Sequence, residues 1–187
     1  MPNWSDVVDK YGQLVWRTVR RLVSHEADAA DCFQEVFVAA FKISQKDKIL
    51  SWTATLRHLA TVKSIDCLRR RYSVQNSSTK ESNIDLVDIR EREPDQQLIA
   101  NELTAALRFA LSKLDSQHAE IFCMICLEAM SYQETAEAIG INVNHVGVLL
   151  HRARIELRTQ LKSYAPSPTN APTNAPKKGS KPNATHT

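Results

Sequence analysis

Hydrophobic positions recur at helical spacing along most of the chain. Near the N-terminus they fall at Trp4, Val7, Val8, Tyr11, Leu14, Val15, Val19 and Leu22. Steps of three and four put them on one face of an amphipathic helix. Ser5 is the candidate N-cap, and Arg17, Arg20 and Arg21 suit the negative end of the helix dipole. A second helix is predicted from about Ser24 to Ile43. Its apolar residues Phe33, Val36, Phe37, Ala40 and Phe41 cover most of its circumference, the mark of a helix buried on several sides. One face nevertheless groups Asp31, Gln34 and Glu35, joined by Val38. A third helix is expected from about Ser51 to Tyr72, with Trp52, Leu56, Leu59, Ala60 and Ile65 as its apolar side.

From Ser73 to Pro94 the periodicity stops, and Ser, Asn, Asp and Glu dominate, which is linker composition. The helical pattern returns at Leu98, Leu103, Leu107, Leu111 and Leu114. Three more helices are predicted at about Ser116–Glu128, Ser131–Ile139 and Asn142–Lys162. The last stretch repeats TNAP and holds five prolines after Ala165, so it is expected to be a disordered tail. No segment reads as a strand. The fold class is all-α: two small helical domains at 1–72 and 95–164, a flexible acidic linker at 73–94, and a disordered Pro/Asn/Thr/Lys tail at 165–187.

The sharpest local signature runs from Ser131 to Leu157. Ser131 and Glu134 fit a capping box. Gly140 can end that helix in the left-handed conformation, and Asn142 can cap the next one. The following helix buries Val146, Leu149, Leu150, Ala153 and Leu157 and turns out Asn144, Gly147, His151, Arg154 and Arg158. This is a helix-turn-helix pattern, whose second helix enters the major groove. An ordinary helical hairpin has the same spacing. Asn144 and His145 are the candidate base readers, because Asn can pair bidentately with adenine. His151, Arg152, Arg154 and Arg158 are the candidates for the rest of a DNA contact, the arginines for phosphate.

Composition narrows the class. The 187 residues carry 43% hydrophobic and 24% charged side chains and a net charge of +3. That is a globular composition, too near neutral to declare a nucleic-acid binder by charge alone. Local charge says more. Residues 57–71 hold Arg57, Lys63, Arg69, Arg70 and Arg71 against Asp66, whereas 72–104 is acidic. The polar, acidic N-terminus is no signal peptide, and the longest apolar run, Ile121–Leu127, is too short to span a membrane. A cytoplasmic protein with no membrane insertion is expected. Four cysteines in apolar stretches fit a reducing compartment. Cys123 and Cys126 form a C-x-x-C, but four zinc ligands are not in sight, and two buried small hydrophobes are the expected reading. The six histidines show no metal spacing, and no catalytic constellation stands out. The expectation is no enzyme, no metal and no cofactor.

Two sets of motifs, in order, resemble one family. Ala29–Lys42, AADCFQEVFVAAFK, resembles the D-x-x-Q-E-x-F-x-x-A-[WF] pattern of region two of bacterial sigma factors. Trp52–Tyr72, WTATLRHLATVKSIDCLRRRY, resembles the segment that follows it. Leu111–Leu161 resembles region four, with L-E-x-M-S-Y-x-E-x-A, then G-I, then H-R-A-R-x-x-L. Direct joining of the two regions is typical of the extracytoplasmic-function (ECF) sigma factors of the sigma-70 family, and the resemblance covers roughly residues 5–162.

The resemblance implies binding to core RNA polymerase, promoter recognition and −10 melting, with an anti-sigma factor as a candidate partner. It implies polymerase docking by Asp31, Gln34 and Glu35, where such an acceptor cluster suits arginine. It implies −10 contacts by Arg57, Thr61, Lys63, Arg69, Arg70 and Arg71, and −35 contacts by the recognition helix. The loop Ser44–Ser51 matches where the family captures an unstacked base, while Trp52 matches a core position. The acidic linker reads equally as a nucleic-acid mimic in a positive channel and as a plain charged connector. Three positions depart from the family: Ala119 replaces an arginine, Thr61-Val62 replaces the A-x-N asparagine, and His145-Val146-Gly147-Val148-Leu149 replaces a more basic start of the recognition helix. Unusual −35 recognition is expected. The rival readings are a one-component helix-turn-helix regulator and an interaction protein that binds polymerase or an anti-sigma partner without reading DNA.

Overall fold

A computed structural model describes residues 3–77 and 94–162, with side chains at 3–74 and 100–162. Seven α-helices make up nearly all of it: α1 Trp4–Leu22, α2 Glu26–Lys46, α3 Trp52–Ser77, α4 Pro94–Lys113, α5 Ser116–Phe122, α6 Tyr132–Ile139 and α7 Val143–Gln160. The middle of the expected linker and the whole expected tail lie outside the described residues.

The first three helices pack as a bundle. Val15, Val19 and Leu22 of α1, Ala29, Val36 and Ala40 of α2, and Leu56, Ala60, Ile65 and Leu68 of α3 are all buried. Burying a Val or Leu side chain contributes about 1.5–3 kcal/mol, so this apolar seam outweighs any propensity term in holding the helices. Trp52 joins it, edge-on to Trp4 with centroids 5.6 Å apart and stacked on Tyr11 at 6.4 Å.

Element limits differ from expectation in four places. Asn3, not Ser5, caps α1: its side-chain oxygen accepts from the Ser5 N–H at 3.2 Å. The first turn therefore starts two residues earlier than a Ser5 cap would place it, at Trp4, the first apolar position of the pattern. The second helix runs on to Lys46, which shortens the expected Ser44–Ser51 loop to its second half. The third helix continues five residues past Tyr72 into the expected linker. The predicted helix Ser116–Glu128 is not uniform, because after α5 the chain widens into a π turn at Cys123–Leu127.

That π turn corrects the C-x-x-C reading. Cys123 points inward and is buried, and burial pushes its thiol well up. The wide turn rotates Cys126 away from the core, where it is exposed and meets Arg154 Nη2 at 3.6 Å. Only one of the pair is a buried small hydrophobe.

The capping signals at the helix-turn-helix appear as read. Ser131 Oγ accepts from the Glu134 N–H at 3.1 Å, while the Glu134 carboxylate accepts from the Ser131 N–H at 2.8 Å. Gly140 ends α6 at φ 78°, a conformation that favours glycine. Asn142 caps α7 through the Asn144 N–H at 2.8 Å. Ile121, Ala136, Val146, Leu149 and Leu150 form a small separate core beneath these two helices.

The larger core is not confined to α1–α3. It continues without a break into Ala110, Leu111 and Leu114 of α4, Ala119 of α5, and Ala153 and Leu157 of α7. The two helical units therefore lie against each other, with α3 facing both.

Candidate polymerase and promoter surfaces

The acceptor cluster on α2 is real and outward. Asp31 and Gln34 are exposed and Glu35 is half-buried, while Cys32 and Val36 between them face the core. The 3.6-residue period does this, since 31, 34, 35 and 38 share one face. Val38 completes the face and is 53% exposed, a large apolar group without cover. Gln34 stands between two open grooves. One, about 590 Å³, is lined by Asp31, Glu35, Val38, Lys42 and Lys63. The other, about 500 Å³, lies between α1 and α2 and is walled by Trp16, Phe33 and Gly12. A Cβ on Gly12 would stand 3.7 Å from the Phe33 ring, so the two helices run close here. The face offers two carboxylates, an amide and apolar patches, a surface suited to a cationic and partly apolar partner.

The basic cluster on α3 is tied down within the chain. Each of its five cations has an intramolecular partner. Lys63 Nζ lies 3.1 Å from Glu35, and Arg70 lies 3.9 Å from the same carboxylate. Arg71 lies 3.2 Å from Asp28. Arg69 donates to the Leu114 carbonyl at 2.8 Å and to the Ser116 hydroxyl. Arg57 Nε lies 3.9 Å from Glu128. Thr61 is fully buried, and its hydroxyl has no partner among the described residues. In this arrangement Thr61 offers no surface to DNA.

Glu128 is a residue that sequence reasoning passed over. Its side chain is only 8% exposed, yet it holds a carboxylate against three groups of the other unit. The Thr18 hydroxyl donates to it at 2.7 Å, Arg21 Nη1 donates at 2.7 Å, and Arg57 lies at 3.9 Å. Arg21 also reaches the Leu127 carbonyl, and Arg108 donates to the Arg21 carbonyl at 3.1 Å. His58 of α3 lies 3.7 Å from Glu120. The one available signal was a single acidic residue between the apolar run and the capping box; nothing in the periodicity names its partners.

The candidate −35 residues are all outward. Asn144 and His145 sit in the first turn of α7, and His151, Arg152, Arg154 and Arg158 follow along its exposed side. Val148, 47% exposed, and Ile155, 51% exposed, share that side. The surface mixes two imidazoles, an amide and three guanidiniums with apolar spots. Those are groups that read base edges, thymine methyls and phosphates.

Comparison with known proteins agrees with this layout. The family description "Sigma-70 region 2" matches residues 7–73, and "Sigma-70, region 4" matches residues 104–157. The chain belongs to the sigma-70 family, among its ECF sigma factors. It is 27% identical over 165 residues to the ECF RNA polymerase sigma factor SigE of Mycolicibacterium smegmatis, covering 88% of this chain but only 64% of that relative. It is 28% identical over 160 residues to the RNA polymerase sigma factor YlaC of Bacillus subtilis, covering 83% of this chain and 90% of that one. In fold it is similar to sigma factor RpoE, solved with the anti-sigma factor NepR from Bartonella quintana. The TM-score is 0.53, with 18% identity and coverage of 84% of this chain and 96% of that one. It is also similar to CnrH, solved with the cytosolic domain of CnrY, at TM-score 0.52 and 22% identity, covering 86% and 88%.

In these terms α1–α3 is region two and α4–α7 is region four. As a sigma factor the chain is an initiation factor and not an enzyme. Among the described residues no helix is long and apolar enough to cross a membrane.

Proposed function

We propose that this sigma factor binds core RNA polymerase through the α2 face and directs it to promoters, with α3 engaging the −10 element and α7 the −35 element. The observation that carries the reading is the outward Asp31–Gln34–Glu35 face of α2, opposite its buried seam of Ala29, Cys32, Val36, Phe37 and Ala40, in one chain with a properly capped helix-turn-helix. Docking rests on Asp31, Gln34 and Glu35. The −10 strand is taken by Arg57, Lys63, Arg69, Arg70 and Arg71, with Thr61 exposed only after rearrangement. The −35 duplex is taken by Asn144, His145, His151, Arg152, Arg154 and Arg158. The domain limits 1–72 and 95–164, a cytoplasmic site of action and an anti-sigma partner belong to the same proposal.

The arrangement of the two units supports a closed resting form. The α3 cations that would meet phosphate are held by Glu35, Asp28, Glu128 and the α4–α5 corner. Phosphates and these acceptors compete for the same guanidiniums. Promoter engagement therefore goes with separation of region four from α3, and polymerase binding supplies the driving free energy.

The test is run-off transcription with purified core polymerase, with and without the protein, on fragments of the source genome. Discrete new start sites are expected, and they are lost in Gln34→Ala. That variant is preferred to a Glu35 change, because Glu35 also holds Lys63 and Arg70. Polymerase binding without initiation would favour the interaction-protein reading. No polymerase binding would overturn the proposal in favour of a one-component regulator.

A further inference from the structure

Two of the four cysteines meet where α2 crosses α3. Cys32 of α2 is 1% exposed and Cys67 of α3 is 7% exposed. The Cys32 thiol lies 3.7 Å from the carbonyl of Lys63, one helical turn before Cys67. Cys67 follows Lys63 by one turn on the same side of α3, and each thiol bears on the other's titration, so the two are neighbours across the α2–α3 seam. Their surroundings are unequal. Cys32 is sealed in the bundle, whereas Cys67 lines an open cleft of about 510 Å³ together with Asp28, Glu35, Arg70 and Arg71.

We propose that Cys32 and Cys67 are a hydroperoxide-oxidised dithiol, Cys67 the attacked thiol and Cys32 the resolving one, whose disulfide ties α2 to α3. The electrostatics favour this division of roles. The hydrogen bond from Cys32 and the nearby Arg70 lower the Cys67 thiol, against burial and Asp28, which act the other way. Cys32 is raised, first by its bond to Cys67 and then by burial, so it keeps its proton. A thiolate beside a guanidinium at the mouth of a cleft is the reactive kind, and a paired thiol within reach resolves it.

The chemistry is a two-electron oxidation in two steps. The Cys67 thiolate attacks one oxygen of the hydroperoxide; the S–O bond forms and the O–O bond breaks. The departing alkoxide or hydroxide takes the proton that Cys67 gave up, leaving a sulfenic acid and an alcohol or water. The Cys32 sulfur then attacks the sulfenic sulfur; the S–S bond forms, the S–O bond breaks, and hydroxide leaves with the Cys32 proton as water. A dithiol reductant reverses the change by exchange. The Glu35–Arg70 pair lies close to this dithiol, and both of its charges act on the Cys32 thiol.

The test uses the full chain with Cys126→Ser, which removes the exposed thiol from intermolecular chemistry. The protein is treated with hydrogen peroxide, then alkylated, digested and read by mass spectrometry. A linked Cys32–Cys67 peptide is expected, with loss of alkylation at both positions, retention at Cys123, and recovery with dithiothreitol. In a Cys32→Ser version, dimedone is expected to label Cys67. Circular dichroism confirms that each variant is folded. Undiminished alkylation of Cys32 and Cys67 after peroxide overturns the proposal. So does oxidation of Cys67 to sulfinic acid without a linked peptide while Cys32 is present.

Discussion

Glu128→Ala should open this sigma factor. The carboxylate belongs to region four, but the side-chain contacts it makes run to Thr18 and Arg21 of α1 and to Arg57 of α3. Breaking a fully buried ion pair costs about 3–5 kcal/mol, and an exposed one about 0.2–1 kcal/mol. Glu128 is 8% exposed, while Arg21 and Arg57 are 42% and 27% exposed. The two arginines are partly hydrated already, so the value falls between those limits. The charge-accepting bond from Thr18 adds to it, giving about 2–3 kcal/mol for the whole cluster. That shifts the closed-to-open equilibrium by roughly 30- to 150-fold. The assay pairs small-angle X-ray scattering with binding of a single-stranded −10 oligonucleotide. Scattering should show a larger maximum dimension. Affinity for the strand should rise by the same factor for as long as the closed form predominates, since apparent affinity scales with the competent fraction. Glu128→Gln, which keeps an acceptor for Thr18, should fall between. Unchanged scattering and unchanged strand affinity in Glu128→Ala would refute the latch.

Other outcomes follow from the packing and the caps. Leu56→Ala, at a fully buried position of α3, should lower stability by about 2–5 kcal/mol in chemical denaturation. Gly140→Ala, forced into φ 78°, should cost about 1 kcal/mol, and Gly140→Asn less, measured by thermal melting. The Glu134 carboxyl is held below its ordinary range by its bonds with the Ser131 backbone and side chain. A lowered carboxyl stabilises the fold above its unfolded pKa and loses that contribution as pH falls through the folded value. The melting-temperature gap between the wild type and Glu134→Gln should therefore be largest near neutrality and shrink in acid. A gap that is flat with pH would count against the capping box as its source.

The helices and caps were legible because their causes are local. Apolar steps of three and four, Ser131 with Glu134, Gly140 and Asn142 each act within one or two turns, and the structure shows them in those roles. The π turn was not legible. CMICL is apolar at every position, so a widened turn and a regular one bury it alike in the pattern, and Cys126 was misplaced for that reason. The α1 cap was missed because two polar residues flank Trp4 and the pattern does not choose between them. The α2 face was legible, since three acceptors on one side of an otherwise apolar helix are a local anomaly.

The partners of the α3 cations were illegible for a different reason. Five basic residues against one acid in fifteen positions describe a surface that needs anions, and they do not say which anions. Within the chain those anions come from far away: Glu35 and Asp28 for Lys63, Arg70 and Arg71, and Glu128 for Arg57. Such long-range pairs leave no period in a sequence. The phosphate-binding reading and the paired arrangement are nevertheless compatible, because they use the same charges in turn. A half-exposed ion pair contributes little net free energy, so it can be exchanged for a phosphate without a large penalty. A cation fully buried with its acid could not be exchanged so cheaply. Arg69 and Arg57, bonded across to region four, thus make promoter contact and interdomain contact alternatives at the same atoms, and −10 binding should carry a salt dependence that the latch variants steepen, because salt then no longer also loosens a competing ion pair.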